Sequence, residues 1–174
     1  MDEIVEFLKA RPNVLAKGAT MRISAKADCA VRAAVELAAT AGAGPIPSAQ
    51  IAASQTIPLG FLDGILSELR TAGIVDAQRG VEDGYRLAAP ADQITIADVV
   101  RAVEGPLASV RGERPEGAAY CGVAAQLPRV WIALRKSLRS VLENVTLADV
   151  ASSRLPTSIA ELASDPEAWV TRKG

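Results

Sequence analysis

From Ala27 onward, apolar residues recur with a helical period. Ala27, Ala30/Val31, Ala34 and Leu37/Ala38 form one stripe, the spacing of a helix with a single buried face. "TAGAGP" stops that helix with two glycines and a proline. Ser48 reads as the N-cap of a second, short helix, "AQIAASQ", with Ile51 and Ala52 turned inward. "TIP" breaks the chain, and Pro58 fits the start of a third helix. That helix sets Leu62, Ile65/Leu66 and Leu69 on one side and Gly60, Asp63, Gly64, Ser67, Arg70 and Thr71 on the other. Gly73 closes it. "IVDAQ" and "GYRLA" then read as short strands around the compact turn "RGVEDG".

Beyond Pro90 the pattern continues with Thr95 as an N-cap and Ile96, Val99/Val100 and Val103 as buried positions. "PLASVRGERPEGAAYCG" loses periodicity and reads as a loop. A long helix follows. Its apolar residues Trp131, Leu134, Leu138, Val141/Leu142, Val145 and Ala148 are spaced 3, 4, 3, 4 and 3, a seam that requires a partner helix. The segmentation expected is an arm over 1–20, a domain over 21–90, a helix and an effector or sensor loop over 91–126 (the signal-binding element being sought from Ser109 to Gly122), the seam helix over 127–150 and a polar tail with one short helix over 151–174. In the arm, Ile4, Val5 and Leu8 suit one short amphipathic helix, Pro12 interrupts, and "AKGAT" reads as a linker. Met21 looks like a natural beginning, so the arm is expected to be dispensable or an over-long start.

Composition narrows the chemistry. The chain has 174 residues, 49% of them apolar but only 3% aromatic, so its core must be built from Ala, Val, Leu and Ile in closely packed helices. No run approaches the ~18 apolar residues of a membrane span, and no signal peptide is evident; a cytosolic protein is expected. There is no histidine, which removes serine–histidine and cysteine–histidine catalysis. Cys29 and Cys121, with no histidine to help, cannot supply the four ligands of a structural zinc site. No enzymatic activity and no metal are expected.

Helix, short helix, turn, helix and hairpin are the order of a winged helix-turn-helix. Gly60, Gly64 and Ser67 keep one face of the third helix slim enough to approach base edges, and Asp63 can accept from a cytosine amino group. Arg79, at the tip of the wing, is placed for a phosphate or a narrow minor groove. Charge argues the other way. Residues 21–90 carry six cations against seven carboxylates, without the usual basic footprint. A winged-helix module for protein–protein contact, with no DNA readout, is the alternative.

"MRISAKADCAVRAAVELA", "IPLGFLDGILSELRTAGIVDAQRGVEDGYRLAAP" and "ITIADVVRAVEGPL" resemble the bacterial Rrf-two family of transcription regulators, which includes the iron–sulfur-cluster regulator and the nitric-oxide-sensing repressor. The likeness is close from Met21 to about Leu107, and the helix after Leu127 is similar to the family's dimerisation helix. The resemblance implies a mainly α fold, a homodimer on a palindromic DNA operator, and repression of transcription. It also implies DNA contacts at Pro58, Gly60, Phe61 and Asp63, at Arg79 and Gly80 in the wing, and at the backbone-touching Arg22, Ser24 and Lys26. Ser48 and Ser67 complete the expected DNA-binding set. Trp131, Leu134, Leu138, Val141, Leu142 and Val145 form the expected dimerisation set.

Two departures alter the expected chemistry. Family members that sense through a cluster carry three cysteines in the loop where this chain has Cys121 alone, and cluster ligation normally needs several thiolates. No iron–sulfur cluster is therefore expected. Cys121 reads as an inert thiol, with a redox switch as the alternative. Cys29 stands where many members have tyrosine and reads as a small core filler. Asp83 replaces a usual wing glycine.

Overall fold

A computed structural model describes residues 23–78 and 83–170. Seven α-helices and one antiparallel hairpin make up the fold among these residues. Helix α1 (Ala25–Ala39) begins at Ser24, whose hydroxyl accepts from the Ala27 amide at 3.0 Å. Its inward face is Ala27, Ala30, Ala33, Ala34 and Leu37, all buried. Small side chains let neighbours approach closely, so α1 becomes the central post against which most other elements pack.

Helix α2 (Ser48–Gln55) follows Pro47, which holds the N-cap position without a side-chain cap bond. Ser48 is thus the first helical residue rather than the expected cap. Thr56, at φ 53°, ends α2 in the left-handed region. The Ile57 amide then bonds Ala52 O at 2.9 Å and the Ile57 side chain is buried, which fixes the turn into α3 (Leu59–Thr71). Leu62, Ile65, Leu66 and Leu69 of α3 are buried, as the periodicity predicts.

The hairpin pairs β1 (Val75–Gln78) with β2 (Gly84–Leu87) in the register Val75↔Leu87 to Gln78↔Gly84. Ile46 joins the open side of β2 through two bonds with Tyr85, of 2.9 and 2.8 Å. This approach is why Gly84 is glycine: a Cβ there would lie 2.6 Å from the Ile46 carbonyl carbon. The hairpin is thereby fastened to the segment before α2.

Thr95 caps α4 (Ile96–Glu104) in a reciprocal box with Asp98, and Ala97, Val99 and Val103 are buried. Ile96 and Val100, expected inside, are half-buried against the same core. The loop after Gly105 holds two short 3-10 turns, Pro115–Gly117 and Gly122–Ala124. Helix α5 (Leu127–Leu142) follows, and none of its 16 residues is buried.

The sequence pattern carries that helix on to Ala148, but it ends at Leu142. Val145 lies outside it, and Thr146 starts α6 (Leu147–Ala151) with a second capping box, closed by Asp149. Val145 is 6% exposed and Leu147 belongs to the main core. The physical reason is local: Thr146 and Asp149 satisfy the helix-start amides, and Leu147 gains burial against α1 that a straight helix would forgo. The tail folds into α7 (Thr157–Ser164), the one short helix expected there, plus a 3-10 turn at Pro166–Trp169.

Candidate nucleic-acid interface

With four apolar side chains anchoring α3, its opposite face is fixed outward. Gly60, Phe61, Asp63, Gly64, Ser67, Arg70 and Thr71 are all exposed. Gly60 and Gly64 stand one turn apart, and a Cβ on either would meet nothing within 4 Å. The protein's own packing does not require these glycines. They leave a shallow strip along the helix, open to close approach by a flat surface. Phe61 is 43% exposed and so is not a core residue, while Tyr85 packs partly against the core. Leu59 is also exposed beside Phe61. Sequence reasoning missed it, although its place outside the Leu62–Leu69 stripe was a usable signal.

The α1 N-terminus lies against this helix. Lys26 pairs with Glu68 of α3 at 2.8 Å, and the Ser24 hydroxyl donates to Glu104 of α4 at 2.6 Å. Two of the expected backbone contacts thus hold internal bonds that join α1, α3 and α4. Nearby, Arg32 pairs with Asp28 at 3.3 Å and reaches Gln55, whose amide donates to Glu36 at 2.6 Å. Ser48 opens α2, half-buried, and Pro58 occupies the N-cap of α3. Arg70 forms no ion pair among the described residues. Asp76 and Arg86 face one another across the hairpin at 3.8 Å. Arg22, Arg79 and Gly80 lie outside the described residues.

A second cluster surrounds α5. Arg135 grips Glu116 in a two-pronged bond of 2.7 and 2.8 Å. This bond is the main reason the Glu116 carboxyl is lowered from 4.5 to about 2. Glu143 accepts from Arg101 and Arg139, which lowers its carboxyl as well. Trp131 donates to the Tyr120 hydroxyl at 3.1 Å, and Arg111 sits over the Tyr120 ring. Trp131, Leu134, Leu138, Val141 and Leu142 remain half-exposed, and Val130 and Ile132 are exposed outright. Val145 is set apart from them, covered by its own chain. Cys121 is exposed, whereas Cys29 is half-buried beside the core, as a filler would be.

The profile of the Rrf2 family, described as an iron-dependent transcriptional regulator, matches residues 23–153. The chain belongs to the Rrf2 family. This Rrf2 protein is 51% identical over 145 residues to a Mycobacterium tuberculosis protein named as a candidate HTH-type transcriptional regulator, covering 83% of this chain and 90% of that one. Among solved structures it is similar to the Bacillus subtilis global cysteine regulator CymR, at TM-score 0.66 and 32% identity over 77% of this chain and 98% of that one. It is also similar to IscR of T. potens, at TM-score 0.60 and 29% identity over 88% and 94%. The protein is a transcription regulator of winged-helix architecture. The family description names iron; the two cysteines of this chain lie on α1 and in the loop before α5, and among the described residues no three Cys, Asp or Glu side chains gather as a metal site. No helix among those residues is long and apolar enough to cross a membrane.

Proposed function

We propose that this chain is a cytoplasmic homodimeric repressor that reads a palindromic DNA operator with α3 and works without an iron–sulfur cluster or any enzymatic activity. The observation that carries the reading is the strip at Gly60 and Gly64: small positions with no packing reason, on the outward face of a firmly anchored helix. Such a face suits base edges in a major groove, where Asp63 and Ser67 supply hydrogen-bonding groups. Arg22, Arg79 and Gly80 are assigned to the flanking phosphates. The near-neutral charge of the domain is met by backbone amides at helix starts, which bind phosphates without net charge.

The dimer reading rests on α5. A helix of 16 residues with an apolar seam and no buried residue lacks the cover that its sequence pattern calls for. Pairing two copies through Trp131, Leu134, Leu138, Val141 and Leu142 supplies it, and the two-fold axis sets two α3 helices on successive half-sites. The test is a titration of the DNA upstream of the protein's own gene at two salt concentrations. Saturable, salt-sensitive binding at a two-fold-symmetric site is expected. Absence of binding, with intact fold, contradicts the reading. The spectrum of anaerobically purified protein tests the cluster-free assignment, and absorbance in the visible cluster bands would overturn it.

A further inference from the structure

Between the C-terminal end of α4, the loop after it and α5 lies an open cavity of about 530 Å³ with four arginines in its wall. Arg101, Arg114, Arg135 and Arg139 line it together with Glu113 and Glu116. In a chain of net charge −1 this concentration of arginine is local. We propose that the cavity is an effector site for a small polyanion bearing carboxylate or phosphate groups; its effector role rests on the operator-binding reading above.

Supply of acceptors is the reason. Each guanidinium carries five donors in a planar fork that matches a carboxylate or phosphate edge. Glu116 fills only the fork of Arg135. Glu143 is shared between Arg101 and Arg139, and Arg101 also reaches Asp98 at 3.5 Å. Arg114 has no ion pair among the described residues, although its charge contributes to holding the Glu116 carboxyl down. Arg114 is thus the guanidinium of the four without a carboxylate partner among the described residues, and it borders an open space large enough for a metabolite. Glu116 shows the binding mode: a carboxylate in the cavity wall already sits in a two-pronged arginine grip, as a ligand carboxylate would.

The cavity is also wired to the DNA-facing side. Arg101 precedes Glu104 by one turn of α4, and Glu104 accepts from Ser24, the cap of α1. Two residues on, Lys26 holds Glu68 of α3. An anion that draws Arg101 from Glu143 acts on the turn of α4 that anchors α1, and α1 in turn is pinned to the reading helix. Occupancy thus biases how α3 is presented, which is what an effector must do.

Calorimetric titration of the full chain with citrate and, separately, with inorganic pyrophosphate at matched ionic strength tests the site. At least one of them is expected to bind saturably; citrate alone indicates a polycarboxylate and pyrophosphate alone a phosphate compound. Arg114→Ala, which breaks no ion pair among the described residues, is expected to weaken binding by about tenfold or more with unchanged melting temperature. The binding anion should then shift operator affinity. No saturable binding of either anion, binding indifferent to Arg114→Ala, or an operator affinity untouched by the bound anion overturns the proposal. Failure of the anion-free protein to bind operator would instead sink the DNA reading, and the calorimetric result would stand apart from it.

Discussion

Thr95 and Thr146 face each other in an antiparallel bridge, and each is the N-cap of its own helix. Around them the Ile96 amide bonds Val145 O and the Leu147 amide bonds Ile94 O, both at 2.9 Å. Each threonine is closed by an aspartate three residues on, Asp98 or Asp149. The similar stretches "ITIADVV" and "VTLADVA" thus meet as two helix starts back to back. This junction returns the chain after α5 to its own core.

Removing either cap should loosen that return. Thr95→Ala and Thr146→Ala are each expected to cost about 1 kcal/mol in urea denaturation. Because the two residues share one bridge, the double variant should depart from the sum of the singles. Strict additivity would mean that the two caps act independently.

Gly84→Ala tests the seat of the hairpin. Its new Cβ would lie within 2.8 Å of the backbone of Ile46, which cannot swing aside as a side chain would. A loss of about 1–3 kcal/mol is expected, as for an overpacked core. Gly60→Ala, which meets nothing, should show no such loss. Equal stability of the two variants would contradict the geometry.

Acid should act on the attachments of α5. The Glu116 carboxyl is lowered from 4.5 to about 2 chiefly by the Arg135 bond. Glu143 is lowered chiefly by Arg101, and Asp149 chiefly by the Thr146 amide. Folded-state values below the unfolded ones mean stabilisation that is present above the ordinary carboxylate range and is lost as pH falls toward 2. In a Trp169→Phe background, Trp131 fluorescence should report this loss on acidification. Glu116→Gln should remove the most acidic part of the change, and superimposable curves would show that the Arg135 grip does not couple to α5.

Leu138→Asp separates assembly from folding. Since α5 has no residue buried in its own chain, the variant should melt as a folded winged domain but sediment as a monomer, with operator affinity falling steeply. An unchanged sedimentation coefficient would exclude α5 as the dimer contact.

Much of this was legible from periodicity. The α3 stripe of Leu62, Ile65, Leu66 and Leu69 names its buried face directly, and its complement names the candidate surface. Thr95 was legible as a cap because "TIAD" follows an irregular stretch. The same signal at Thr146 was hidden, because Val145 and Ala148 also continue the 3–4 spacing of α5 and a seam pattern says nothing of a break. Contacts between distant residues had no local signature at all. Ser24 with Glu104, Lys26 with Glu68 and the four arginines of the cavity come together only through packing of the helices.

The most direct measurement of the central claim is a paired one on Gly64→Ala. A Cβ at this position meets nothing within the protein, and alanine favours a helix over glycine by about 1 kcal/mol. If α3 lies against base edges, the variant should melt at an equal or higher temperature yet bind operator about tenfold or more weakly, since the methyl group occupies the space the DNA needs. Unchanged operator affinity in a variant that is folded and at least as stable would contradict the account.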